Sequence, residues 1–327
     1  MTAGYLQPTA FNPLVAFPVV MLVVAMEAIV VGNVTLDVLC YPVDEVPRHE
    51  SIAFEQAAVG PGGCASNTAV VLASLGLSTG IAACVGADEA AALARRTWQT
   101  FGVDDRFVET VDAPTAVSVG LVDHERQPRF IHTPGANAYL TPTRLRPEAY
   151  AKVGAKWLHL AGYFVLPGLL TTALAPVLAR AHAAGMRVSL DVVTSPAMDD
   201  SAPLWPLLPL LDVFFCNAHE GYRLTGHRDP EDIATALGER GARRAVVKLG
   251  AAGSYGWSPD FQGRVPAPEV REVVDTTGAG DAFAAGFIAA RLRNASFYSA
   301  LRVGNMTGAR AVTALGATAA FTPPAGA

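Results

Sequence analysis

The sequence predicts an α/β fold: a mostly parallel central sheet covered by helices on both faces, with a small β-sheet set into it. Three observations carry this. From Lys156 onward, short apolar runs alternate with helical ones, as strand–helix–strand units around a buried parallel sheet do. Residues 115–133 instead alternate with period two, with Thr115, Val117, Val119 and Leu121 on one face and a turn near Asp123 to Pro128, which predicts an antiparallel hairpin. Finally, 327 residues that are 51% apolar and only 16% charged can fill a large core and exclude extended disorder.

The apolar stretch from Leu14 to Val31 contains Pro18 and Glu27, and no Lys or Arg precedes Arg48, which argues against a membrane span or a secretory signal. Residues 27–33 read as a buried first strand, residues 1–25 as a leader, and Met21 or Met26 as the expected start. Residues 34–60 are short-stranded and irregular, with Pro42 and Pro47. Gly60, Pro61, Gly62 and Gly63 then open a helix over 65–75 that Gly76 stops. A strand over 79–85 and a helix over 88–101 follow. Beyond the hairpin, strands are expected at 156–161, 187–192, 212–216 and 244–249. Helices are expected at 168–184, 218–225, 230–241, 279–293 and 297–315. No Pro/Ser-rich linker and no repeat divides the chain, so residues 26–320 form one domain and 321–327 a tail.

Composition removes several function classes. Lys and Arg total 24 against 29 Asp and Glu, a formal net charge of −5 without a basic tract, which disfavours a nucleic-acid partner but leaves a small phosphorylated ligand open. Cys40, Cys64, Cys84 and Cys216 contain no C-x-x-C pair, so zinc cages are disfavoured and the thiols read as buried in a reducing cytoplasm. His49, His124, His132, His159, His182, His219 and His227 have no metal-ligand spacing and read as surface or satisfied histidines. A dinucleotide-dependent oxidoreductase would place G-x-G-x-x-G after the first strand, where Gly32, Asn33 and Val34 stand.

The most informative run is Asp275, Thr276, Thr277, Gly278, Ala279, Gly280, Asp281, Ala282 and Phe283. Its glycines permit a tight turn. The helix that follows points free N–H groups and the positive end of its dipole at that turn, which makes an anion site. Asp281, in the first helical turn, either caps the helix or stands beside a phosphate cradle, placed to take a proton from a hydroxyl.

This run resembles the C-terminal signature of the ribokinase/phosphofructokinase-B family of carbohydrate and nucleoside kinases. Five further stretches resemble the family's motifs in the same order: Gly32 to Asp37 after the first strand; Gly62 and Gly63 with Asn67; Gly135, Ala136 and Asn137; Asn217 with Glu220; and Val247 to Gly250 with Gly253. The resemblance spans about Ile29 to residue 317. It implies a ribokinase-like fold in which strands near 38–60 and 112–133 form a lid, and an ATP- and Mg²⁺-dependent kinase of a sugar or sugar-like alcohol.

By the same resemblance, Asp281 is the general base, and the amides of Gly278, Ala279 and Gly280 stabilise the transferring phosphate. Asp37, Gly62, Gly63 and Asn67 face the acceptor. Lys248, Gly250, Gly253 and Asn305 face the nucleotide. Asn217 and Glu220 face Mg²⁺ through water while also capping their helix, and Asp275 and Thr277 match a site for a monovalent cation such as K⁺. The alternatives are a nucleoside kinase of the same fold and a non-catalytic binding member, against which the intact turn and Asp281 argue. A one-sided apolar lid sheet needs cover, so a homodimer through the lid is expected.

The chain departs from the family's sugar-binding patterns. Relative to ribokinases, Thr35 stands for Asn, Cys64 for Lys, and no carboxylate lies in Leu158 to Gly162. In the D-x-N-x-R pattern of fructokinase-like and ketodeoxygluconate-kinase-like members, Asp191 is kept but Val193 and Ser195 replace Asn and Arg. These losses disfavour ribose and leave the acceptor unnamed. Phe54, Phe130 and Tyr163 are candidates for an apolar face against a nucleobase.

Overall fold

Every residue of β1 (Ala28–Gly32) is buried, as expected for a strand covered on both faces. The computed structural model describes residues 25–125 and 128–324, so the expected leader lies, apart from Ala25, outside the described residues, as do 325–327 of the tail. In the N-terminal half β1 is followed by β2 (Thr35–Tyr41), β3 (Gln56–Gly62), α1 (Cys64–Ser74), β4 (Thr79–Val85), α2 (Glu89–Phe101) and β5 (Asp104–Thr110), then by β6 (Ala116–Val122), β7 (Pro128–His132) and α3 (Pro147–Lys152). Next come β8 (Trp157–Ala161), α4 (Leu174–Ala183), β9 (Arg187–Asp191), β10 (Val213–Asn217), α5 (Ala218–Thr225), α6 (Pro230–Glu239) and β11 (Ala245–Lys248). The antiparallel pair β12 (Ser254–Ser258) and β13 (Phe261–Val265) and the helices α7 (Ala279–Leu292) and α8 (Phe297–Ala311) complete the chain.

Nine strands form the large sheet in the order β13-β12-β11-β10-β9-β8-β1-β4-β5, parallel from β11 to β5. One face packs on α3, α4, α5 and α6. The other packs on α1, α2, α7 and α8, with Phe287 edge-on to Phe215 and Phe297. The strand order runs outward in both directions from β1, toward β4 on one side and β8 on the other. Open α/β sheets bind ligands at such a reversal, beyond the strands' carboxyl ends.

A second, four-stranded sheet has the order β3-β2-β6-β7, with β2 and β6 parallel and the outer pairs antiparallel. Thr35, Asp37, Ser118, Phe130 and His132 share its inner face, and Val38, Val59, Val119 and Ile131 form a row across its outer face. The apolar alternation at Val117, Val119 and Leu121 marks the less buried face of β6, because that face looks away from the body.

Several boundaries moved. The segment 34–60, expected to be irregular, holds the seven-residue β2 and the first five residues of β3; Pro61 is tolerated because β3 is an edge. The helix expected from 168 begins at Leu174, since Pro167–Leu169 closes as a 3₁₀ turn. The helix expected to reach 315 ends at Ala311. The strand β5 and the β12–β13 hairpin were not expected: β5 is polar and only partly buried, and glycines interrupt the hairpin.

Candidate active site

The loop after β1 fixes the geometry of the crevice. A Cβ on Gly32 would lie 2.2 Å from the Ala161 carbonyl oxygen, so only glycine lets β1 pass so close to β8. The Asn33 side chain accepts from the Cys64 N–H at 3.2 Å, anchoring the start of α1. Gly63 has φ 89°, and a Cβ there would lie 2.5 Å from the Asn33 carbonyl oxygen. Asn137 grips the main chain of Val34 through both ends of its amide, at 3.0 Å each. These clamps root the small sheet over the carboxyl ends of the large one.

Between the two sheets lies a cavity of about 750 Å³. Asp191, Asn217 and Lys248 enter it from the carboxyl ends of β9, β10 and β11. Thr35 and Asp37 enter from β2; Gly63, Cys64 and Asn67 from the start of α1; and Thr276, Thr277, Gly278, Gly280 and Asp281 from the start of α7. Glu220, from α5, and Gly250 also line it. Gly62 lies just behind Asp37, where a Cβ would fall 1.9 Å from Asp37 Oδ2.

At the head of α7, Gly278 is left-handed with φ 75°, and a Cβ there would lie 2.5 Å from the Ala317 methyl. The Ala279 N–H donates to Thr276 O at 3.2 Å and the Ala282 N–H to Gly278 O at 2.9 Å. The N–H groups of Gly280 and Asp281 have no partner among the described residues, leaving two free donors at the positive end of a 14-residue helix. Asp275 is fully buried. It accepts from the Thr277 N–H at 2.9 Å and hydroxyl at 2.7 Å, and from the Gly316 N–H at 2.9 Å, tying the turn to the C-terminal loop.

Lys248 lies beneath this turn; a Cβ on Gly280 would be 3.1 Å from its Nζ. That ammonium donates to both oxygens of Asp191, at 2.8 and 2.6 Å. Burial pulls the amine's pKa down, but Asp191 and Glu220 beside it outweigh burial and hold it above the usual lysine value. Burial pushes the Asp191 carboxyl up against the pull of Lys248.

Asp281 accepts from the Asn67 amide at 2.8 Å. Burial raises its carboxyl to about 7, opposed by the Asn67 bond and helped by the negative Asp191. Asp37 accepts from the Thr35 hydroxyl at 2.5 Å, and burial raises it to about 6. Glu220 is raised to about 7 by burial and lies in a full capping box: it accepts from the Asn217 N–H at 2.7 Å and the Thr194 N–H at 3.2 Å, while Asn217 Oδ1 accepts from the Glu220 N–H at 2.8 Å. With both carboxylate oxygens in use, the Asn217–Glu220 pair fits a hydrated Mg²⁺ held through water and does not fit a dedicated cage. No cluster of three or more metal-ligating side chains occurs among the described residues.

Of the residues expected at the site, Gly62, Gly253, Asp275, Ala279 and Asn305 lie outside the cavity lining, and the Ala279 amide, expected to stabilise the phosphate, is already taken by Thr276 O. Gly253 is a left-handed turn glycine packed on Val265 O, and Asn305, buried on α8, donates to Val265 O at 2.9 Å and Pro266 O at 3.3 Å. Tyr163 is fully buried and Phe54 is an exposed residue outside the cavity, whereas Phe130 lines it. All four cysteines are free; Cys64 differs from the other three in being half-buried at the cavity, beside Asp281. His159 is fully buried with one ring nitrogen against Ser189 at 2.8 Å and the other unpartnered. Sequence reasoning missed the pairing of Asp191 with Lys248; the signal was an acid closing one apolar strand and a lysine closing another.

An α/β crevice that joins a helix-head anion site to a buried ammonium and a carboxylate has the parts of a phosphoryl-transfer enzyme. The model of the pfkB family carbohydrate kinases matches residues 26–324, and the chain belongs to that family, whose members are phosphotransferases with alcohol acceptors. It is 31% identical over 278 residues to the aminoimidazole riboside kinase of Salmonella typhimurium, covering 81% of this chain and 85% of that one. It is 32% identical over 286 residues to the 2-dehydro-3-deoxygluconokinase of Bacillus subtilis, covering 82% and 84%. The solved ribokinase of Arabidopsis thaliana, complexed with ribose and ATP, superposes with a TM-score of 0.77 at 25% identity over 92% of this chain and 96% of that one. The fold is ribokinase-like.

The buried Asp191–Lys248 pair yields a stability prediction. Asp191→Leu strands the ammonium and lowers unfolding free energy by about 3–5 kcal/mol, and adding Lys248→Met recovers most of that loss. Urea denaturation of the three variants measures it. Independent, additive losses would contradict the pairing.

Proposed function

We propose that the chain transfers the terminal phosphoryl group of ATP to a hydroxyl of a sugar or sugar-like alcohol, with Asp281 as general base. The observation that supports this best is the convergence of three features in one cavity: the free N–H groups of Gly280 and Asp281, the Lys248 ammonium under the same turn, and the Asp281 carboxylate. The acceptor oxygen attacks the terminal phosphorus as its proton passes to Asp281. An oxygen–phosphorus bond forms, the bond to the β-phosphate's bridging oxygen breaks, and ADP leaves. Asn67 orients the base, and Asp37 holds the acceptor from the opposite wall. Gly250 lies on the nucleotide side, with Gly253 and Asn305 shaping that region from behind. Asn217 and Glu220 would hold the waters of a Mg²⁺ bound with the phosphates, which would supply charge neutralisation there. A K⁺ near Asp275 and Thr277 would act on the turn and not on the reacting atoms.

In this reading residues 26–320 act as one kinase domain and the four-stranded sheet acts as its lid. The enzyme works in the cytoplasm, where its free thiols stay reduced. A nucleoside acceptor is the second reading, favoured by Phe130 on the cavity wall. A second copy of the chain covers the outer row of the lid, where Val59 and Ile131 are 62% and 65% exposed.

Asp281→Asn is expected to lower kcat about 10²–10⁴-fold while leaving nucleotide affinity and melting temperature unchanged. Coupled ADP assay, calorimetry and thermal melting measure these, and near-normal turnover would remove Asp281 as the base. Because the base must be ionised and its pKa is about 7, kcat/KM rises roughly tenfold per pH unit below that value and levels off above it. A profile flat through that range contradicts the assignment. Ile131→Asp is expected to convert a dimer into a monomer by light scattering; an unchanged mass for the variant overturns the lid interface.

A further inference from the structure

The end of the large sheet opposite the cavity gathers positive charge. Arg187 opens β9, and Arg244 immediately precedes β11. The strand alternation places Arg187 on one face with Ser189 and Asp191, and Arg244 on the same face with Val246 and Lys248, the face that packs on α7. Asp191 and Lys248 therefore lie toward the head of α7. Arg187 and Arg244 lie toward its tail, where Arg291 stands in the last turn, about 20 Å away along a 14-residue helix.

Two of these arginines have local work. Arg187 lies over the Trp157 ring, 5.6 Å from its centroid, and its Nη1 donates to Arg291 O at 3.2 Å. Arg291 Nη1 donates to Ala295 O at 2.6 Å. Both bonds answer carbonyls at the negative end of α7. They do not account for Arg244, which is half-buried and has no acceptor for its side chain among the described residues. Its Nε is enclosed, so its Nη groups are the donors an anion can reach.

The three guanidiniums act on one another. Burial first, and then the charges of Arg187 and Arg244, hold the Arg291 pKa below the usual arginine value, against the pull of Asp260 and Asp212. Neither acid is ion-paired with any of the three among the described residues. Asp212 accepts from the Val188 N–H at 2.8 Å and faces His182 at 3.9 Å, and Asp260 is exposed in the turn between β12 and β13.

We propose that Arg187, Arg244 and Arg291 form a binding site for a phosphate group, free or as the monoester of a small metabolite, at the amino-terminal edge of the large sheet. A planar guanidinium presents paired N–H donors that match a tetrahedral oxyanion, and a dianion balances more of this charge than a carboxylate or chloride does. Arg187 and Arg291 each spend one donor on a carbonyl and keep others for the ligand. The site lies outside the crevice and does not depend on the kinase reading.

The test uses the full chain in buffer free of other oxyanions. Crystals are soaked in selenate, an anomalously scattering tetrahedral dianion, which is expected within hydrogen-bond distance, about 3 Å, of the Arg244 and Arg291 guanidiniums. Selenate at the head of α7 alone, or at neither place, overturns the proposal. Calorimetry then follows inorganic phosphate and glycerol 3-phosphate on the wild type, Arg244→Gln and Arg291→Gln. Each variant is expected to lose one bound phosphate or to weaken it at least about tenfold, the scale of one charge-assisted hydrogen bond. The second variant serves if the first does not fold, and unchanged phosphate binding in either folded variant overturns the proposal. Tighter binding of glycerol 3-phosphate supports an ester as the occupant, tighter binding of inorganic phosphate supports the free ion, and binding of neither overturns the site.

Discussion

A buried ammonium sits under the first turn of a helix, and that juxtaposition constrains the rest of the site. Lys248 and the head of α7 both present positive potential to one spot, and only the ammonium has an anionic side chain bonded to it. Asp191 supplies the compensation in the free protein, held between strands that deliver both side chains from their carboxyl ends. The arrangement favours an anion that can approach the free N–H groups of Gly280 and Asp281, and a nucleotide's terminal phosphate has the charge and the oxygens to do so. The carboxylate of Asp281 can then remain at the edge of the cradle, raised by burial into the range where it exchanges protons near neutrality.

The small sheet makes the head of α7 one wall of a cavity. Its inner face contributes Thr35, Asp37 and Ser118, and its root is held by main-chain clamps at Asn33 and Asn137. The second clamp uses both ends of the Asn137 amide, whereas Asn33 commits only its Oδ1. The clamps explain how the chain can lack the family's usual hydroxyl-binding partners and keep its architecture: Thr35 still orients Asp37, and Cys64 still starts α1.

The geometry at the head of α7 was legible in the sequence because it depends on contiguous residues: glycines where left-handed backbone and close packing are required, and an acid in the first helical turn. Asn217 and Glu220 were legible for the same reason, as cap and first turn of one helix. The Asp191–Lys248 pair was not, since its members lie 57 residues apart and meet only because β9, β10 and β11 are neighbours. The grip of Asn137 on Val34 spans 103 residues and carries no local pattern. Among the elements, the strands with apolar runs were found within a residue or two. The polar strand β5 and the glycine-broken β12–β13 hairpin were missed because neighbours in the sheet, not side-chain pattern, hold them extended.

The most direct measurement is a crystal structure of the protein with a non-hydrolysable ATP analogue, Mg²⁺ and a sugar acceptor. The terminal phosphate is expected to accept from the N–H groups of Gly280 and Asp281, with one acceptor hydroxyl within about 3 Å of the Asp281 carboxylate. A phosphate bound away from the α7 turn, or an Asp281 that reaches no acceptor oxygen, would contradict the assignment.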